Sequence, residues 1–157
     1  MTITLAFYKG RLSLNDHALP FDRAVCAWTG GDYSHVELID LNDGAGWSSS
    51  YRDGGVRKKF IDWSSGRWDI YTLPGDPVAA RDRIKKHLGE GYDVFGLFFF
   101  VIPLHLEARN EKFCSEIVSI GLDRPKPFKD SPVSLFKDLQ ATFGDQLQKQ
   151  PAVTLGF

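Results

Sequence analysis

The chain changes its periodicity once, and that change limits its fold more than any other feature. Up to Pro74-Gly75 the apolar residues recur in short runs with a period near two, broken by Gly, Asn and Asp turns. From Asp76-Pro77 onward they follow helical spacing. Strands first and helices after predict an α+β domain, with helices on one face or end of an antiparallel sheet.

The strand half starts with residues 1–8. A short helix over 22–28 follows, closed by Thr29-Gly30-Gly31. An alternating run, Tyr33-Ser34-His35-Val36-Glu37-Leu38-Ile39-Asp40, turns through Asn42-Asp43-Gly44. Three more strands are expected over 46–51, 55–61 and 68–73, and together the strands suggest an antiparallel meander. In the helical half, Asp76 reads as an N-cap with Pro77 at N1, opening a helix that passes Ile84 and Leu88 and stops at Gly89. Residues 92–102 are too apolar to assign by period, but their length and their place between helices favour a buried helix. Helices are expected over 114–122 and from Ser131-Pro132 through Leu135, Phe136 and Leu139, with a loop carrying Pro125 and Pro127 between them. No internal repeat or low-complexity tract is present. Residues 1–150 read as a single domain and residues 151–157 as a loosely packed tail.

With 157 residues, 43% hydrophobic and 25% charged, and a formal net charge of −1, the composition is that of an ordinary soluble globular protein. No nucleic-acid partner is implied. Arg57-Lys58-Lys59 and Arg83, Lys85 and Lys86 read as solvated basic faces. The N-terminus lacks a basic region and a long apolar stretch, so it reads as a first strand and not a secretory signal. The longest apolar run, 94–104, is interrupted by Gly96 and Pro103 and falls short of the ~20 residues that span a membrane. A cytoplasmic location without a membrane span follows as the expectation, with Cys26 and Cys114 both reduced. Cys26, in Ala24-Val25-Cys26-Ala27-Trp28, reads as a core residue.

Cys114, in Lys112-Phe113-Cys114-Ser115-Glu116-Ile117-Val118, carries the strongest chemical signal, because it falls in the first turn of a short amphipathic helix. Free backbone N–H groups and the positive end of the macrodipole stabilise negative charge there. A thiol of pKa about 8.5 can be pulled down toward neutrality, and the same N–H groups can hold an oxyanion. Strand alternation puts His35 and Glu37 on one face, so a base and its orienter point the same way. Together they supply a nucleophile, a base and a third group. Glu116 reads as a first-turn residue complementing the helix dipole. The phenylalanines at 95 and 98–100 read as core rather than as an acyl-chain pocket. Arg52-Asp53-Gly54-Gly55 reads first as a turn and second as an anion site. His17, His87 and His105 have no partner at metal-ligand spacing, and His35, Glu37 and Cys114 alone leave a zinc ion short of ligands, so neither metal nor cofactor is expected.

Tyr33-Ser34-His35-Val36-Glu37, followed much later by Phe113-Cys114-Ser115-Glu116, resembles the circularly permuted papain-like, NlpC-type superfamily. The clue is order: in ordinary papain-like chains the cysteine helix precedes the histidine strand, whereas here the histidine comes first. The permuted branch includes lecithin retinol acyltransferase-like enzymes and small YiiX-type bacterial or phage hydrolases. Residues 51–57 resemble the connection after the histidine strand, and residues 92–96 resemble the helix before the cysteine. The resemblance spans roughly residues 23–139 and implies a permuted papain-like fold, with Cys114 as nucleophile and His35 as general base. Glu37 is the preferred third member, with Ser48, Ser50 and Asp53 as its rivals. Tyr92, Asp53 and Ser34 are the candidate substrate contacts.

The function implied is a cysteine hydrolase that cleaves an amide bond in a peptide or cell-wall peptide through an acyl-enzyme, in a bacterial or phage-infected cell. Two alternatives stand beside it. One is a thioesterase or lipid acyltransferase of the same fold, acting on an acyl substrate; the other is a non-catalytic binding or phage accessory module.

Overall fold

A computed structural model describes residues 1–10, 20–91, 113–125, 127 and 130–151. The helix expected over 92–102, with Tyr92 and the phenylalanine run, lies outside the described residues. The described elements are β1 (Thr2–Lys9), α1 (Pro20–Thr29), β2 (Tyr33–Ile39), β3 (Ala45–Ser50), β4 (Gly55–Phe60), β5 (Trp68–Pro74), α2 (Pro77–Lys85), α3 (Cys114–Gly121), α4 (Pro132–Phe143) and β6 (Gln148–Gln150). They make an α+β fold around one six-stranded antiparallel sheet of order β4-β3-β2-β1-β5-β6.

The expected meander covers only β1 to β4. β5 crosses to the far edge of β1, pairing Thr2 with Pro74 through to Tyr8 with Trp68. The reason is burial on both faces of β1: residues from Ile3 through Phe7 are all buried, and such a central strand satisfies its backbone only with a neighbour on each edge. β6 was not expected from sequence, because Gln148-Lys149-Gln150 carries no apolar alternation. Backbone pairing to β5 makes it a strand, together with a bond from Gln150 Nε2 to Thr72 Oγ1 of 2.9 Å and an ion pair from Lys149 to Asp69 of 2.9 Å.

The two faces of the sheet differ. Ile3, Leu5, Phe7, Val36, Leu38 and Leu73 pack under the helices against Ala80, Ile84, Ile117, Leu135 and Leu139. Ala6, Ile39 and Ile70 lie on the opposite face beneath Trp63 and Trp68. α2 and α3 approach closely at Gly121, where a Cβ would stand 2.9 Å from Ile84 Cδ1 and 3.1 Å from the Ala80 carbonyl oxygen. Asp76 caps α2 by accepting from the Val78 and Ala79 N–H groups. α4 opens with a reciprocal capping box between Ser131 and Ser134.

Two irregularities of β2 prepare the site. The β1–β2 register slips where Tyr8 faces His35 but Lys9 faces Tyr33, leaving Ser34 without a partner on β1. The slip turns Tyr33 to the helical side, against Phe7 and Phe136 at ring separations of 5.2 and 5.0 Å, while His35 and Glu37 stay on the other face. Along its opposite edge β2 pairs with β3 only at Leu38 with Trp47 and Ile39 with Gly46. Beyond these pairs the backbone pairing stops, although Ser48 Oγ still donates to the Val36 carbonyl at 2.7 Å, and α3 packs against both strands.

Candidate active site

α3 starts at Cys114 because Phe113 is extended, with φ −75° and ψ 158°, and its carbonyl accepts the first helical bond, from Ile117 N–H at 2.9 Å. The N-cap residue, Phe113, supplies no side-chain cap to the first turn. Ile117 and Val118 are fully buried and press the helix onto the sheet. On its other side, Ser115 Oγ donates to the Asp130 carbonyl and Ser119 Oγ donates to the Asp130 carboxylate, which Arg124 also meets at 3.3 Å. The position of Cys114 is therefore set by packing on one side of α3 and polar anchoring on the other.

Cys114 is buried and forms no disulfide, and it lies close enough to His35 to act on the imidazole. The thiol is carried by α3 on the helical side of the sheet, and the imidazole by β2. His35 Nε2 lies 2.7 Å from Glu37 Oε1. Burial alone would depress the imidazole pKa. The neighbouring Cys114 and Glu37 side chains outweigh burial and raise it from its ordinary 6.5 to about 10.

Glu37 is fully buried, and Arg57 grips it as a fork, with Nη1 donating to Oε2 at 2.7 Å and Nη2 donating to Oε1 at 2.6 Å. Burial pushes the Glu37 carboxyl up, but His35 and Arg57 hold it below the usual carboxylate range. Arg57 is itself tied by Nε to Asp53 Oδ2 at 2.9 Å, and Lys59 meets the other Asp53 oxygen at 2.6 Å. These cations bring Asp53, which burial would raise, down to about 2. The outcome is a row of alternating charge capacity, Cys114, His35, Glu37, Arg57 and Asp53, running from the helix N-terminus across β2 to β4.

His35 and Glu37 border a cleft of about 730 Å³ with Tyr8, Trp68, Ile61 and Arg52 on its walls. Trp68 stands edge-on to the imidazole at 6.3 Å and to Tyr8 at 5.0 Å. Ser34 and Asp53, the candidate substrate contacts, also line this cleft, but both are engaged by protein. Ser34 Oγ donates to Asp22 Oδ1 at 2.9 Å, and Arg52 holds the other Asp22 oxygen at 2.7 Å. Of the rivals to Glu37, Ser48 donates to the Val36 carbonyl at 2.7 Å, Ser50 lines the cleft, and Asp53 reaches the histidine only through Arg57 and Glu37. Tyr92 lies outside the described residues. Glu116 is buried in the first turn of α3.

Arg57 is the residue that sequence reading missed. It was grouped with Lys58 and Lys59 on a solvated face, yet its side chain is only 15% exposed. Strand alternation offers a partial signal, since Arg57 faces Ser48 and takes the opposite side of β4 from its neighbours. Gly46 was also missed: a Cβ there would stand 2.8 Å from Glu37 Oε2, so its missing side chain makes room for the carboxylate.

No protein-family model matches the chain, and no curated protein and no solved structure matches it. Among the described residues, no group of three His, Cys, Asp or Glu side chains is arranged to hold a metal ion. No described helix is long and apolar enough to cross a membrane.

Proposed function

We propose that the protein is a cysteine hydrolase of permuted papain-like architecture, cleaving an amide bond in a peptide or cell-wall peptide. One observation carries this: the first residue of a helix is a cysteine placed beside an imidazole whose Nε2 is 2.7 Å from a buried carboxylate. In this mechanism His35 takes the Cys114 proton, and the thiolate attacks the substrate carbonyl carbon. The first-turn N–H groups of α3 stabilise the oxyanion. His35 then returns the proton to the departing amine, and water, activated by the same imidazole, releases the acyl group. Glu37 steadies the imidazolium between these transfers.

The test is Cys114 alkylation by iodoacetamide at pH 6, followed by mass spectrometry with Cys26 as internal control and repeated with peptide and acyl-thioester competitors. Cys114 should label far faster than Cys26, and His35→Ala should slow it by about 10²-fold or more, the lower range of general-base contributions. Labelling that is slow and indifferent to His35 would point to a non-catalytic binding module. Competition by acyl thioesters and not by peptides would move the substrate class to lipid or thioester chemistry.

A further inference from the structure

The contacts around Glu37 extend past the usual nucleophile, base and orienter. A fully buried carboxylate beside a single imidazole has a cheap way to escape its charge, since it can accept a proton. Once neutral, it no longer stabilises an imidazolium, and it can donate a hydrogen bond to Nε2 rather than accept one. Here that escape is opposed from β4. The charged groups acting on Glu37 are His35 on its own strand and Arg57. β1 places Ala6 opposite it and Gly46 of β3 leaves room beside its carboxylate, and among the described residues Arg57 of β4 is the guanidinium that bonds it. Both guanidinium nitrogens of the fork are used on Glu37, and the remaining Nε is used on Asp53, which Lys59 holds in turn.

We propose that Arg57, anchored by Asp53, is the positioning residue of this site: it fixes the Glu37 carboxylate in its charged form and in the one orientation that presents Oε1 to His35 Nε2. This inference rests on the cysteine-hydrolase reading. Arg57 does not touch the reacting atoms. Its effect reaches Cys114 through two side chains, and its geometric signature is the bidentate fork, which a lysine cannot reproduce.

The test is the pH profile of Cys114 alkylation by iodoacetamide between pH 4 and 9 in the full-length protein, for wild type, Arg57→Gln, Arg57→Lys, Asp53→Asn and His35→Ala. The Glu37 carboxyl carbon is titrated in parallel by 13C NMR. In Arg57→Gln the acidic limb should move up by about one pH unit, which is about a tenfold loss of rate on that limb, together with the Glu37 titration. Arg57→Lys should recover part of the loss and Asp53→Asn should show a smaller shift in the same direction. If Arg57→Gln does not fold, the lysine and asparagine variants carry the same comparison. An acidic limb that stays in place while the Glu37 titration moves would make Arg57 a purely structural ion pair and overturn the inference. A wild-type profile identical to that of His35→Ala would instead remove the nucleophile reading beneath it.

Discussion

Gly46 and Arg57 define the space and charge that Glu37 needs, and neither is a nucleophile, acid or base. A methyl group at position 46 would stand 2.8 Å from Glu37 Oε2, while Arg57 prevents that oxygen from swinging aside. Gly46→Ala should therefore keep the fold, as judged by circular dichroism, yet slow Cys114 labelling at pH 6 by about tenfold, the cost of roughly one pKa unit in the His35–Glu37 coupling. Labelling at the wild-type rate would show that the carboxylate has room to spare. Of the candidate-site residues, Cys114, His35 and Glu37 could be singled out in the sequence by their chemistry and local periodicity. Arg57 was not, because two lysines follow it and a run of three cations looks the same whether its first member faces water or a buried carboxylate.

At the scale of elements, local signals and tertiary packing divide the work. Asp76 accepts from two backbone N–H groups at the start of α2, at 2.9 and 3.1 Å, and Asp76→Ala should lower stability by about 1 kcal/mol in urea unfolding. α3 differs, since its N-cap residue Phe113 gives it no side-chain cap and it is held by what it buries. Ile117 is fully buried in the main core, and Ile117→Ala should cost about 2–5 kcal/mol by the same measurement. Because this helix carries Cys114, the variant should also broaden the labelling kinetics, whereas Asp76→Ala should leave them unchanged. The starts of α2, α3 and α4 could be read from Asp-Pro and Ser-Pro pairs and from periodicity, whereas α2 ends at Lys85 and not at Gly89 as expected. β6 could not, because three polar residues acquire strand geometry only when a neighbouring edge is available.

For the whole molecule, the buried charges predict a pH window of stability. The His35 pKa is raised from 6.5 to about 10, so its contribution is fully present below pH 6.5 and is lost as the pH rises through 10. The Glu37 pKa is lowered from 4.5, so its contribution is present above pH 4.5 and is lost as the pH falls through the depressed value. Both contributions are whole only between about pH 4.5 and 6.5, and thermal unfolding midpoints should be highest there. His35→Ala should flatten the alkaline side of that profile and Glu37→Gln the acidic side. An unchanged alkaline slope in His35→Ala would show that the imidazole is not held charged by its neighbours.

The sequence by itself determined the α+β class, the run of strands before helices, the start of each described helix after the sheet, and the identity of the thiol, imidazole and carboxylate. These follow from period, capping chemistry and side-chain type, all of which act over a few neighbouring residues. Only the tertiary structure decided that β5 crosses to the far side of β1 and that β6 extends the sheet. It alone decided that β2 and β3 pair at only two positions and that Arg57 turns inward to Glu37. Each of those outcomes depends on which edge, gap or buried charge is left unsatisfied once distant parts of the chain have packed.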